Sequence, residues 1–266
     1  MRSTVIGSCE IIQGDSIKLM REMQLEVDHM IFDPPYDEEA HVQYRPRRRG
    51  KGGAEDRQQL DFSSIDARTA QACCETAARL CRGWFITFCQ TEMVSFWRDH
   101  IEAERLKYKT PCVWVKPDAT PKFNGQGPAI GYESFVTAWA GEGYARWNAG
   151  GKRGVYTHLT NSSTRHGAHP TEKPLGLMRE LVQDFTEQGQ TILDPFAGSG
   201  TTGVAAMQLG RKCILIEKNP EYFDICCQRV QDAARNVDLF IPQAKPKQDD
   251  MGFPRERIER TKTSAA

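Results

Sequence analysis

Four consecutive residues, Asp33-Pro34-Pro35-Tyr36, bring an acid, two prolines and an aromatic ring together after the apolar run His29-Met30-Ile31-Phe32. The run predicts the end of a buried strand, with the four residues as its tip. Asp33 and Pro34 each precede a proline and are pushed out of the helical region, and neither proline has an N–H, so the sheet ladder must stop here. A rigid corner remains, carrying two free acceptors: the Asp33 carboxylate and the Pro34 carbonyl. Two acceptors holding both hydrogens of an arylamine favour a pyramidal nitrogen and release a lone pair otherwise delocalised into the ring. Such a nitrogen can attack an electrophilic methyl group. Tyr36 offers a flat face on which a base taken out of its duplex would stack. The same four residues also fit an ordinary strand-to-loop turn with a chance Pro-Pro.

A second constellation lies far along the chain. Thr191-Ile192-Leu193 reads as a short buried strand running into Asp194-Pro195-Phe196-Ala197-Gly198-Ser199-Gly200-Thr201-Thr202, with an apolar helix expected over residues 203–209. Glycines at 198 and 200 let the backbone approach a ligand, and a following helix offers N–H groups to an anionic group. Glu217 closes the next apolar strand, Cys213-Ile214-Leu215-Ile216. That position, about twenty residues past the loop, is where nucleotide-binding α/β folds place the acid that holds ribose hydroxyls.

Together the two motifs resemble the amino-group DNA methyltransferases that use S-adenosyl-L-methionine and act on adenine N6 or cytosine N4. Their order, target-base motif first and cofactor loop late, is similar to the circularly permuted β group of that family. The resemblance spans roughly residues 5–235. It implies an α/β, Rossmann-like methyltransferase fold: a mostly parallel sheet of about seven strands with helices on both faces. It further implies that Asp33, Pro34, Pro35 and Tyr36 form the catalytic corner and that Asp194 holds the methionine amino group. Phe196, Ala197, Gly198, Ser199 and Gly200 would shape the cofactor pocket, and Glu217 would take the ribose hydroxyls. Asp15, after the strand Cys9-Glu10-Ile11-Ile12, would contact the adenine of the cofactor, although it reads equally as a plain helix N-cap. The segment His169-Pro170-Thr171-Glu172-Lys173-Pro174 starts a helix. By resemblance it also lines the methionine end, with Thr171 and Lys173 available to the carboxylate.

Composition sets bounds. The 266 residues suit one large α/β domain with a modest insertion. A hydrophobic content of 39% and a charged content of 26% are globular values. Thirty-five basic residues balance 35 acidic ones, so any contact with nucleic acid must come from local clusters. Nine cysteines show no metal spacing and read as reduced thiols, which points to a cytoplasmic protein and to no metal site. The start, Met1-Arg2-Ser3-Thr4, leads into no signal-length apolar run, and no stretch is long enough for a membrane span.

The catalytic domain is expected over residues 1–238, with a polar tail at 239–266. Within it, residues 37–61 form a polar, glycine-rich stretch carrying Arg45, Arg47, Arg48, Arg49 and Lys51. This reads as a mobile loop that orders on phosphate, or as a solvated loop, and its attachment to the corner favours DNA contact. Residues 118–168 supply Lys122, Asn124, Arg146, Asn148, Lys152, Arg153, Asn161 and Arg165, side-chain types that read base edges and phosphates, and this is the expected target-recognition region. Helices are expected over residues 63–82, 92–107 and 220–235, and strands over 84–89, 111–116 and 132–139. Trp84, Trp114 and Trp139 on those strands read as core. The short recognition region is compatible with a short site or with a second copy in a homodimer.

The expected activity is methyl transfer to adenine N6 in double-stranded DNA by base flipping. The open alternatives are cytosine N4, an RNA or protein amino group, and a DNA-binding module without activity.

Overall fold

The computed structural model describes residues 2–35, 67–123, 126–160 and 172–235. Tyr36, the basic stretch with Arg45, Arg47, Arg48, Arg49 and Lys51, the residues Asn124, Asn161, Arg165 and Thr171, and the tail all lie outside them.

In chain order the elements are β1 (Arg2–Ile6), β2 (Cys9–Gln13), α1 (Ser16–Glu22), β3 (His29–Phe32), α2 (Ala67–Leu80), β4 (Trp84–Cys89), α3 (Val94–Ala103), β5 (Lys107–Val115), β6 (Tyr132–Trp139), β7 (Val155–Thr157), α4 (Leu175–Phe185), β8 (Thr191–Asp194), α5 (Thr201–Gln208), β9 (Lys212–Glu217) and α6 (Pro220–Ala234). The nine strands form one sheet in the order β1-β2-β9-β8-β3-β4-β6-β5-β7. The late strands β8 and β9 lie between the early strands β2 and β3, as a permuted chain requires. Strands β2, β9, β8, β3 and β4 run parallel, while β1 and β6 run against their neighbours.

Unbroken apolar runs in the central strands follow from burial on both faces. Along β4, Trp84, Ile86 and Phe88 enter one core with α4, α5 and α6. Phe85 and Cys89 enter the other, with Met20 of α1, Ala70 and Cys73 of α2 and Trp97 of α3. Every residue of α5 is buried, which fits a helix packed between α4, α6 and the sheet. The side chains of Trp84, Trp114 and Trp139 are buried as expected, and each indole N–H donates to a loop carbonyl.

The sheet has two strands more than the seven expected. Both additions are edge strands. β1 is mostly exposed, and β7 is three residues long with only Tyr156 buried, so neither carries a strong apolar pattern. The helix expected to reach residue 107 ends at Ala103, where Arg105 turns the chain with φ 59° and β5 starts at Lys107. No glycine marks that turn. Pro111 is accommodated in β5 beside a register shift, at a point where β7 has not yet begun to pair.

Candidate active site

Strands β3 and β8 are parallel neighbours with Met30 opposite Leu193, so Asp33 and Asp194 leave the sheet at the same edge. The rings of Phe32 and Phe196 lie 5.8 Å apart and pack the two motifs together. On the far side of β8, β9 ends at Glu217, which pairs with Gln13 of β2. Asp15 therefore stands beside Glu217. The Ser16 hydroxyl donates to the Pro195 carbonyl, closing β2 onto the glycine loop.

The glycine loop is internally bonded. Phe196 N–H donates to Asp194 Oδ1 at 2.9 Å, Ala197 N–H to the Ile216 carbonyl at 2.9 Å, and Gly200 N–H to the Ala197 carbonyl at 2.7 Å. Gly198 N–H donates to Glu217 Oε2 at 2.8 Å, and Asn219 N–H to Oε1 at 2.7 Å. These four loop donors are spent on the protein, whereas the N–H groups expected to face an anion are those at the start of α5. The two glycines of the loop still matter. Gly198 and Gly200 have φ 52° and 83°; a Cβ at 200 would lie 2.6 Å from Cys226 Sγ, whereas at 198 it would meet open space.

The groups at this edge are mainly acids. Burial pushes Asp194 up to about 7, against the pull of the Thr202 hydroxyl and the Phe196 N–H. Burial also raises Glu217, opposed by backbone N–H donors. Asp15 is held below the usual carboxylate range by the Lys18 N–H and by Lys218. It caps α1, with Oδ1 accepting the Lys18 N–H at 3.1 Å and Oδ2 facing Lys218 at 3.1 Å. The carboxylates Asp15, Asp194 and Glu217 gathered at this edge suit a cationic ligand carrying hydroxyls.

At the corner, Pro34 is buried and Pro35 exposed. Lys173 sits 2.5 Å from Asp33 Oδ2 and 2.9 Å from Glu133 Oε1, with its ammonium 4.9 Å from the Phe88 ring centroid. Lys116 lies 2.8 Å from Glu133 Oε2. The result is an alternating chain of charge: Asp33, Lys173, Glu133, Lys116. Burial raises Asp33 to about 6; Lys173 opposes the rise and the Glu133 charge adds to it. Burial acts upward on Glu133 too, but Lys173 and Lys116 outweigh it and hold that carboxyl below its ordinary value. Lys173, expected near the cofactor carboxylate, has its ammonium engaged by two buried acids, Asp33 and Glu133. Asp33 Oδ1 is buried and has no hydrogen-bond partner among the described residues. A buried acceptor in that state is costly unless a ligand donor reaches it.

The DNA methylase family defined by the N6_N4_Mtase profile matches residues 27–228, a span that holds the corner, the glycine loop and Glu217. The chain belongs to that family. Over 139 residues the chain is 36% identical to the type II methyltransferase M.Cfr9I of Citrobacter freundii, covering 48% of the chain and 46% of the relative. Over 65 residues it is 48% identical to the type II methyltransferase M2.DpnII of Streptococcus pneumoniae, covering 24% of each. The matches thus span about half or less of these curated relatives. Among solved structures, the M1.HpyAVI-SAM complex superposes with a TM-score of 0.65 at 25% identity, covering 84% of this chain and 98% of that one. The cytosine-N4-specific PvuII DNA methyltransferase superposes at 0.63 with 16% identity, covering 88% of this chain and 94% of that one, a likeness of fold.

Among the described residues, the basic side chains expected to read DNA do not converge. Lys122 lies in the β5–β6 connection, at the edge that carries Asp33. Arg146 follows the antiparallel β6 to the opposite edge, where its carbonyl accepts the Trp84 indole N–H. Asn148 is there too, bonded to the end of α4. Lys152 is paired with Glu180 and Asp184 and lies over Tyr156, so its charge is spent within the fold, and Arg153 stands next to it before β7. Arg146, Asn148 and Lys152, all in the region expected to recognise the target, thus stand at the edge away from Asp33. At that opposite edge a cavity of about 430 Å³ is lined by Asp28, His29, Arg82 and Arg146 among others. His29 there is structural, bonded to Gln190 and to the Trp84 N–H. Among the described residues no cluster could hold a metal, and no helix is long and apolar enough to cross a membrane.

Sequence reasoning missed Glu133, Lys116 and Arg229. A charged residue inside the apolar strand Tyr132–Trp139 was the available signal for Glu133.

Proposed function

We propose that this protein transfers a methyl group from S-adenosylmethionine to the N6 amino group of adenine in double-stranded DNA. The observation that carries the reading is the buried Oδ1 of Asp33, unpartnered among the described residues, at the same sheet edge as the glycine loop. The family membership and the acid-rich cleft support the cofactor. Asp194 and Glu217 would hold its ammonium and ribose hydroxyls, each retaining free lone pairs after its backbone bonds. When bound, the cofactor supplies an electrophilic methyl on a good leaving group.

The work of the chain is then positioning and electrostatics. Asp33 Oδ1 accepts one amine hydrogen and the Pro34 carbonyl the other, while Lys173 fixes the remaining oxygen of Asp33. Tyr36, from its place after the corner, would stack on the flipped base. As the nitrogen bonds the methyl carbon, the amine becomes acidic, and its proton passes to Asp33 and on to water. Adenine is favoured because the corner opens with Asp, where family members acting on cytosine more often carry Ser. The fold does not choose, since a cytosine-N4-specific enzyme shares it.

Sequencing that reports modified bases in DNA from cells expressing the protein tests this directly. N6-methyladenine at one short motif is expected, absent with Asp33→Ala although that variant still binds cofactor. N4-methylcytosine would move the target to cytosine, and unmodified DNA from active, folded protein would overturn the reading.

A further inference from the structure

The chain of charge at the corner has a second arm. Arg229 of α6 is buried, and its Nη2 lies 2.6 Å from Glu172 Oε1. Its Nη1 donates to the Ser199 carbonyl at 2.8 Å, the Ser199 hydroxyl at 2.5 Å and the Thr201 hydroxyl at 3.2 Å. Glu172 is the residue before Lys173. Two consecutive side chains therefore reach in different directions, one through Arg229 to the glycine loop and the other to the catalytic acid. Pro174, at φ −59°, follows them and caps α4, which limits how far the pair can shift.

We propose that Glu172 and Arg229 are positioning residues that set the glycine loop and Asp33 in register with one another. This rests on the methyl-transfer reading, in which the two must meet across a reacting bond. Stability is a poor reason for such a pair. Replacing both members of a buried ion pair by apolar groups is often neutral or stabilising. Glu172 Oε2 is moreover buried with no hydrogen-bond partner among the described residues, so the pair is not arranged for greatest stability. Geometry is what it supplies: a 1 Å misplacement of reacting groups costs on the order of a hundredfold in rate.

The test is the double variant Glu172→Met with Arg229→Met, which removes both charges and strands neither. A folded protein is expected, with a melting temperature somewhat below that of the parent because the Ser199 and Thr201 acceptors lose their Arg229 donor. So are weaker binding of S-adenosylhomocysteine, by about tenfold, and a kcat at saturating cofactor reduced tenfold or more. The acid limb of kcat should also move to higher pH as Lys173 loosens from Asp33, a group otherwise faced by Glu133, Lys116, Asp194 and Cys89. A purely structural role would not move that limb. A folded double variant with parental affinity, kcat and acid limb overturns the proposal. Should the double variant not fold, Glu172→Gln removes the charge while keeping an oxygen for Arg229, and is read the same way with a smaller effect. A parent protein that binds no S-adenosylhomocysteine and transfers no methyl group sinks the methyl-transfer reading itself; an active parent with unaffected variants sinks only this inference.

Discussion

Lys173→Met removes the cation between Asp33 and Glu133 while keeping an apolar stem against Phe88. Two unit charges 2.5 Å apart attract by about 6–7 kcal/mol at an effective dielectric of ~20. Relaxation and water entry offset most of that, so about a third is taken as surviving, ~2 kcal/mol or about 1.5 pKa units. Asp33 starts near 6, already raised by burial, and loss of the cation moves it upward to about 7.5. The ionised acceptor then falls roughly fourfold at pH 7 and more than tenfold at pH 6, with almost no loss at pH 9. The assay is transfer of labelled methyl from S-adenosylmethionine to DNA under saturating cofactor, measured from pH 5.5 to 9.5. Stability should follow the same group. A carboxyl whose folded pKa exceeds its unfolded value of about 3.9 binds more protons folded, so the variant loses stability as pH rises from about 4 to about 7.5. A loss of kcat equal at all pH values, or an acid limb still near 6, would refute the argument.

Three further outcomes are expected. Because burial pushes Asp194 up to about 7, cofactor affinity measured by calorimetry should tighten as pH rises through 7 and then level off, and Asp194→Asn should flatten that dependence. Gly200→Ala places a Cβ 2.6 Å from Cys226 Sγ at φ 83°, so thermal melting should show a loss of about 1–3 kcal/mol, or several degrees; an unchanged melting temperature would mean that the loop relaxes freely. Replacing Arg47, Arg48 and Arg49 together by Ala should lower the slope of log affinity against log salt by up to about 3, and an unchanged slope would remove this segment from the phosphate contacts.

Local chemistry in the sequence determined a good deal. The apolar runs before Asp33 and Asp194 could only be two-sided strands, the prolines had to end the first of them, and the glycines had to turn the second into a tight loop. These are short-range constraints, written in consecutive residues. The adjacency of β2 and β9 follows from the family resemblance, whose permuted order implies it, and the sheet has it. What the tertiary structure alone decided concerns pairs far apart in the chain. Lys173 meets Asp33 across 140 positions, and Arg229 meets Ser199 from another helix. Whether a lysine serves a ligand or a buried acid depends on which carboxylate lies nearest, and strand order sets that. Arg146 lies at the opposite edge because an antiparallel β6 carries its following loop away from the corner. The edge strands β1 and β7 escaped notice because a strand paired on one side and open to water on the other needs little apolar pattern to hold its place.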